Sequence, residues 1–170
     1  MKNFPQRKPN RLKNFDYSSE AVYFITICVK QRHNLLWKNI SDLVEPDVGA
    51  TIGRPYNEIL SEYGQIVDQT ISIISEYYSC ITIYKYVIMP NHIHVLMAIQ
   101  NETSGRPLVA PTISTVVQQM KGVITKQIGF SIWQKSFHDH IVRNEEEFLK
   151  IWKYIEDNPT SWSSDCYYTD

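Results

Sequence analysis

The chain has few cysteines and no long hydrophobic segment. It contains three cysteines in 170 residues, and Cys28, Cys80 and Cys166 show no paired spacing. Scattered cysteines are typical of a reducing cytoplasm and argue against a structural zinc site. No apolar run reaches the length that spans a bilayer, and the first residues lack the hydrophobic core of a signal peptide. We therefore expect a soluble cytoplasmic protein. A length of 170 residues is typical of one domain.

The chain also lacks the excess of positive charge that is typical of DNA-binding proteins. Its 17 Lys and Arg residues are balanced by 18 Asp and Glu residues, which gives a formal net charge of −1. Five cations are concentrated before the first acid, Asp16, and these are Lys2, Arg7, Lys8, Arg11 and Lys13. We expect this basic arm, residues 1–16, to contact phosphates while nearby aromatic residues stack on bases. The alternative is a solvated terminus without a ligand.

The stretch His92-Ile93-His94 is the most informative motif that is present. Successive side chains of a strand alternate between its faces, so the two histidines share one face while Ile93 and Val95 occupy the other. Two neutral imidazoles on a rigid sheet are suited to bind a divalent metal. The alternative is a pair of half-buried histidines bonded to their neighbours. Leu96 stands where a histidine-triad nucleotide hydrolase needs a third alternating histidine, which excludes that enzyme class.

A helix is predicted between Asn144 and Asn158. Asn144 followed by Glu147 resembles a capping box, and Pro159 stops the helix. Tyr154 and Asn158 are four residues apart, so they lie one above the other on a flank of the apolar stripe. A tyrosine hydroxyl can act as a covalent nucleophile, and an amide oxygen one turn away can complete the coordination sphere of a metal. The alternative is an amphipathic helix with Tyr154 at the core rim and Asn158 as its cap.

Apolar periodicity predicts an α+β fold with ferredoxin-like β-α-β-β-α-β order, in which helices cover one face of an antiparallel sheet and a further helix follows. The predicted elements are a strand at 22–29, a helix at 59–77, strands at 81–89 and 92–99, a helix at 114–128 and a strand at 132–142. The tail, residues 160–170, either lies over the candidate site or frays. His138 and His140 share a face of the last strand, which indicates either a competing metal site or support for the first.

These motifs together resemble the HUH single-tyrosine transposases, and within them the REP-associated tyrosine transposases of bacteria. The matching segments are Pro90-Asn91-His92-Ile93-His94, residues 133–146, Tyr154-Ile155 followed by Asn158-Pro159, and the opening residues 10–28. The ordered set is specific, whereas no single member is. The resemblance therefore covers nearly the whole chain and implies a single HUH transposase-like domain over residues 1–170.

The resemblance also implies an activity, which is metal-dependent cleavage and rejoining of single-stranded or hairpin DNA through a 5′-phosphotyrosine intermediate. His92 and His94 match the metal-binding pair, with Mg²⁺ or Mn²⁺ as the cofactor. Tyr154, on a catalytic helix at 144–158, matches the nucleophile. Asn158 matches the third metal ligand, a position at which many relatives outside this branch carry glutamine. The DNA contacts assigned to the basic arm are Arg7, Lys8, Arg11 and Lys13.

The sequence leaves assembly and activity open to alternatives. A monomer is favoured over a homodimer. A domesticated relative that binds structured single-stranded DNA or RNA without cutting it is the second hypothesis, because no sequence feature excludes it. An activity assay is needed to separate the binder from the enzyme.

Overall fold

The computed structural model describes residues 19–38, 59–100 and 111–169, and at their centre lies a four-stranded antiparallel sheet. The strands are β1 (Ala21–Cys28), β2 (Ile81–Ile88), β3 (His92–Ile99) and β4 (His138–Val142). They lie in the order β2-β3-β1-β4, and every neighbouring pair is antiparallel. This is the strand order of a ferredoxin-like sheet, so the predicted α+β fold class is confirmed.

The helices of the described residues are α1 (Glu62–Ser72), α2 (Ile74–Tyr77), α3 (Ile113–Ile128) and α4 (Glu145–Asp157), with short 3-10 helices at Lys30–Arg32 and Pro159–Ser164. Each of the three long helices begins at a side-chain oxygen that accepts a backbone N–H of the first turn, and these caps are Ser61, Thr112 and Asn144. None of the helices within residues 19–38, 59–100 and 111–169 has the length and apolar character that a membrane crossing requires.

The two faces of the sheet bury different elements. On one face, Ile25 of β1 and Ile93 and Val95 of β3 form the main core together with apolar residues of α1 and α3. On the other face, a smaller cluster joins Leu96 of β3 to Ile155 of α4. Every residue of β3 is buried, because the strand has a neighbour on each side and is covered on both faces. Polar side chains on the α4 face of β3 are therefore removed from water.

The last strand is shorter than predicted. We predict a strand at 132–142, but β4 begins only at His138. The Lys121 ammonium donates hydrogen bonds to the carbonyls of Gln134 and Ser136, at 2.9 Å in each case. Residues 132–134 still bond to the chain at the end of β1, through the bridge between Val29 and Trp133. Between this bridge and β4, the two carbonyls bond to a helix side chain instead of continuing a regular ladder.

The first predicted helix, at 59–77, is divided in two. Its start at Glu62 follows from the Ser61 cap, and it is interrupted at Ile73, whose φ of −96° and ψ of −1° depart from helical values. The Ser72 hydroxyl donates to the carbonyl of Gln69 at 2.9 Å. Such a side-chain bond offers the backbone an alternative to the regular hydrogen bonds of the helix, and this one lies beside the break.

Candidate metal and nucleophile site

Two histidines of β3 converge on the face of the sheet that α4 covers. The Nε2 atoms of His92 and His94 lie 3.0 Å apart. Ile93 and Val95, which alternate with them, lie in the main core behind. The alternation predicted from the His-Ile-His spacing is therefore what the strand adopts, and both imidazoles face the same point.

Asn91 sets the proton arrangement of the His92 ring. Its amide nitrogen donates to the carbonyl oxygens of Tyr167, at 2.8 Å, and Arg32, at 3.3 Å. The amide oxygen must therefore be the atom that lies 2.9 Å from Nδ1 of His92. Because this oxygen can only accept, Nδ1 carries the hydrogen and Nε2 of a neutral ring keeps its lone pair. The lone pair is thus directed toward Nε2 of His94, 3.0 Å away.

Thr26 holds the second ring. It lies directly opposite His94 in the register between β1 and β3, and its Oγ1 is 2.8 Å from Nδ1 of His94. A hydroxyl can donate or accept, so this bond persists whichever nitrogen of His94 carries the hydrogen. Phe24, two residues earlier on the same face, stacks on the His94 ring with centroids 5.0 Å apart. Both contacts restrict the orientation of the imidazole.

Burial keeps both histidines neutral. Their residues are 0% and 1% exposed, respectively. Burial lowers the pKa of His92, although the nearby Asp165 carboxylate acts in the opposite direction. Burial also lowers the pKa of His94 well below its usual value, and the neighbouring His92 ring lowers it further. An imidazole binds metal only in its neutral form, and both rings have that form at neutral pH.

The helix α4 places Tyr154 beside this pair. The tyrosine hydroxyl is 3.3 Å from Nε2 of His94 and 3.4 Å from Oδ2 of Asp165. Burial raises the pKa of Tyr154 to about 12, with the Asp165 charge as a second cause. The hydroxyl is therefore protonated at neutral pH, and nucleophilic attack requires that it lose its proton when substrate is bound.

Asn158 is the C-terminal cap of α4 and is buried, with 3% of its surface exposed. Its Nδ2 donates to Oδ2 of Asp165 at 3.3 Å, whereas its Oδ1 is buried without a hydrogen-bond partner. Buried amide oxygens are nearly always satisfied, so this one calls for an explanation such as an ion that binds there. The role of Asn158 as third metal ligand stays a prediction, and its unpaired oxygen fits that role.

Asp165 is a member of the site that the sequence analysis missed. One ligand atom from each of His92, His94 and Asp165 lies within 4.8 Å of the other two. Among the described residues, this is the one group of three or more His, Cys, Asp or Glu side chains that could hold a metal ion. The nitrogen and oxygen donors of this group suit a divalent metal. No spacing rule points to an acid eleven residues after Tyr154, because the tail has no helical or strand periodicity.

The tail lies over the His pair as far as residue 169, which decides between the two alternatives predicted for it. The Tyr167 ring is tilted over His92 with centroids 4.5 Å apart. The Arg32 guanidinium lies 5.0 Å from the centroid of the Tyr167 ring and donates to the Cys166 carbonyl at 3.2 Å. Thr169 donates its hydroxyl to the Arg32 carbonyl at 3.2 Å. The turn at Arg32 and the tail are therefore joined by several contacts.

The second histidine pair has a different role. His138 and His140 are exposed, and Nε2 of His140 lies 2.7 Å from the Glu147 carboxylate. The same carboxylate accepts the Arg143 N–H at 2.8 Å, and the Glu147 N–H donates to Asn144 Oδ1 at 2.9 Å. His140 thus contributes to the N-terminal cap of α4. No second metal group that includes these histidines occurs within the described ranges.

The DNA contacts predicted for the basic arm cannot be placed. Arg7, Lys8, Arg11 and Lys13 lie outside the described residues. Their assignment stays a prediction, as does the extent of the single domain over residues 1–170.

Comparisons with known proteins agree with this fold. No protein-family profile matches the chain. An uncharacterized protein of Haemophilus influenzae is 30% identical over 183 aligned residues, which cover 96% of this chain and 94% of the relative. Among solved structures, a REP-associated tyrosine transposase bound to a REP hairpin is similar with a TM-score of 0.58 at 19% identity, over 89% of this chain and 74% of that one. The resemblance to these transposases is confirmed at the level of the fold.

Proposed function

The chain belongs to the same family as the uncharacterized Haemophilus influenzae protein, and we propose that its members, this chain included, are transposase-like enzymes that cleave and rejoin single-stranded or hairpin DNA. The observation that carries the proposal is the position of Tyr154, whose hydroxyl lies 3.3 Å from Nε2 of a histidine sixty residues earlier in the chain. A potential nucleophile and a potential metal site thus form one cluster.

The fold likeness supports DNA as the substrate. The similar solved structure is a tyrosine transposase bound to a REP hairpin. Fold alone does not specify function, so the function is inferred from the side chains that lie together on the α4 face of the sheet. His92, His94 and Tyr154, which the sequence resemblance assigns as metal ligands and nucleophile, lie together there.

The side chains present fit a divalent cation such as Mn²⁺ or Mg²⁺. His92 and His94 offer two neutral ring nitrogens, and the partnerless Oδ1 of Asn158 offers a neutral oxygen. When bound, the cation would polarise the scissile phosphate and offset the charge that develops on it. The chain itself orients the two rings through Thr26 and Asn91, which restricts them to one ligand geometry.

Tyr154 is the proposed nucleophile. Its phenolic oxygen forms a bond to phosphorus as the bond from phosphorus to the 3′ oxygen breaks, which yields a 5′-phosphotyrosine and, after proton uptake, a free 3′-hydroxyl. The phenolic proton leaves as the new bond forms. Attack of a 3′-hydroxyl on the phosphotyrosine reverses the step and rejoins DNA without ATP. Tyr154 is 40% exposed, so a strand can reach it.

Replacement of Tyr154 by phenylalanine tests this proposal. Tyr154→Phe should abolish the denaturation-resistant protein–DNA adduct formed with labelled hairpin DNA and Mn²⁺, while DNA affinity stays nearly unchanged, because only the attacking oxygen is removed. Tyr84→Phe is the matched control, since Tyr84 is similarly exposed, at 37%, and packs on Phe148 of the same helix. An adduct that persists in Tyr154→Phe would contradict the assignment. Hairpin binding by the wild type without any adduct would instead favour the non-cleaving binder.

A further inference from the structure

Asp165 reaches the histidine pair from the tail. It follows the 3-10 helix Pro159–Ser164, and its Oδ1 accepts the Tyr167 N–H at 2.6 Å. Its Oδ2 accepts from Nδ2 of Asn158 at 3.3 Å and from the Tyr154 hydroxyl at 3.4 Å. The carboxylate is therefore held by neutral donors, close to two ring nitrogens that can act as ligands.

No lysine, arginine or histidine of the described residues forms an ion pair with this carboxylate. The pairs Lys85–Glu156, His140–Glu147 and Lys150–Glu146 do not include it. A negative charge beside two neutral imidazoles favours a positive charge at the same place. A divalent cation at the three ligand atoms would supply that charge. Two histidines and one carboxylate are also a known ligand set for divalent metals, with positions left open for other ligands.

We propose that Asp165 is a protein ligand of the divalent metal at His92 and His94, so that metal binding and docking of the C-terminal tail stabilise each other. The inference depends on the proposed function for the presence of a metal, and it adds a ligand from a segment outside the His and Tyr motifs. Coupling between two binding events is reciprocal, so a tail docked through Asp165 raises metal affinity as much as metal stabilises the tail.

Asn91 gives this coupling a second route. It donates to the Tyr167 carbonyl at 2.8 Å and accepts from Nδ1 of His92 at 2.9 Å. One side chain therefore contacts both the tail backbone and a ligand ring. Undocking of the tail would remove one of the bonds that orient the Asn91 amide and, through it, His92.

Mn²⁺ titration of the purified full chain tests the proposal without DNA. Asp165→Asn keeps the shape of the side chain and removes its charge, and it should weaken Mn²⁺ binding by about tenfold or more in calorimetry, in line with the cost of disturbing metal sites. Asp157→Asn is the matched control, because it removes one exposed carboxylate at the end of α4 and should leave Mn²⁺ affinity unchanged. Circular dichroism verifies that both variants are folded.

Hydrogen exchange of the tail is the second measurement. Mn²⁺ should slow amide exchange in residues 159–169 of the wild type, and this protection should be absent in Asp165→Asn and in His94→Ala. Asp165→Glu keeps the charge and should restore part of both the affinity and the protection.

The outcomes separate this inference from the proposed function. Equal Mn²⁺ affinity of wild type and Asp165→Asn, with tail exchange independent of Mn²⁺, would overturn the role of Asp165, even if Tyr154-dependent DNA cleavage is found. Weakened Mn²⁺ binding together with the absence of tail protection in Asp165→Asn would support the inference, even if no hairpin is cleaved. A wild-type chain that does not bind Mn²⁺ would overturn it.

Discussion

The two histidine pairs of this protein have the same spacing but different surroundings. His92 and His94 lie on β3, and His138 and His140 lie on β4, with β1 between the two strands. Thr26 of β1 is opposite both His94 and His138 in the register. Side chains directly opposite one another in a sheet share a face, so both pairs belong to the face that α4 covers. Spacing and direction therefore do not distinguish them.

Position in the sheet produces the difference. β3 has strands on both sides, whereas β4 pairs only with β1 in the described sheet. The residues His92 and His94 are buried, whereas His138 and His140 are exposed. Water solvates an exposed imidazole, but a buried one must find polar partners and loses its charge. An alternating His pair therefore indicates a metal site only where other elements cover it and bring a third ligand group.

The largest expected effect separates the two pairs directly. His94→Ala should lower the rate of adduct formation on hairpin DNA more than about 100-fold, because even residues that merely support metal ligands cost about 10- to 100-fold when changed. His138→Ala should leave the rate nearly unchanged. Rates of adduct formation on denaturing gels, with Mn²⁺ varied, measure both. An equal decrease in His138→Ala would remove the distinction between the pairs.

The two asparagine caps of α4 give the next comparison. Asn158→Ala should weaken Mn²⁺ binding about 10- to 100-fold, because it removes the unpaired buried oxygen at the end of α4 and the amide that bonds to Asp165. Asn144→Ala removes the N-terminal cap near the second pair, and should cost about 1 kcal/mol of unfolding free energy without a change in Mn²⁺ affinity. Calorimetry and urea unfolding of both variants test this. Mn²⁺ affinity that falls only in Asn144→Ala would reverse the assignment.

A smaller effect is expected from the basic arm. The buried histidines are neutral and attract no phosphate at neutral pH, so affinity for DNA should depend on cations elsewhere. Deletion of residues 1–13 removes five cations and no acids. It should weaken hairpin binding and flatten its salt dependence. The slope of log K against log salt concentration should become shallower by about 0.7 for each single-strand phosphate that the arm no longer neutralises. An unchanged salt slope after the deletion would show that another surface binds the DNA.

The smallest effect concerns the exposed pair and depends on pH. Two hydrogen bonds lower the pKa of Glu147. The larger effect comes from the backbone N–H of Arg143, and the second from the His140 ring. A carboxylate with a lowered pKa in the folded state contributes stability above its unfolded pKa and loses it as the pH falls through the folded value. Glu147→Gln should therefore show a shallower decrease in Tm in the acidic range than the wild type. Identical Tm–pH profiles would contradict a role for this pair in capping α4.

Much of the fold could be predicted because its central strands have strong patterns. The bounds predicted for β3, 92–99, are those observed, since a strand covered on both faces reads as a nearly continuous apolar run. The start of β4 could not be predicted, because it depends on Lys121, a residue of α3 that bonds to the backbone preceding the strand. Interactions between distant elements leave no local periodicity in the sequence.

The site was predictable only in part, for the same reason. His92, His94 and Tyr154 stand in spaced motifs, and the structure brings all three together. The contact of Thr26 with His94 could have been predicted, because the register of the two strands places these residues opposite each other. The contacts of Asp165 could not, because an acid in an aperiodic tail gives no indication of which surface it contacts.

The amide of Asn91 has a consequence for substitution at that position. Its nitrogen faces two backbone carbonyls and its oxygen faces a ring N–H, so the side chain must have one donating and one accepting end. Aspartate has the same shape but two accepting oxygens, and would place a negative charge against both carbonyls. Leucine would fill the space but take a hydrogen-bond partner away from four polar neighbours. The two unlike ends of an amide satisfy both sides, so the side chain of Asn91 orients the ring of the first histidine.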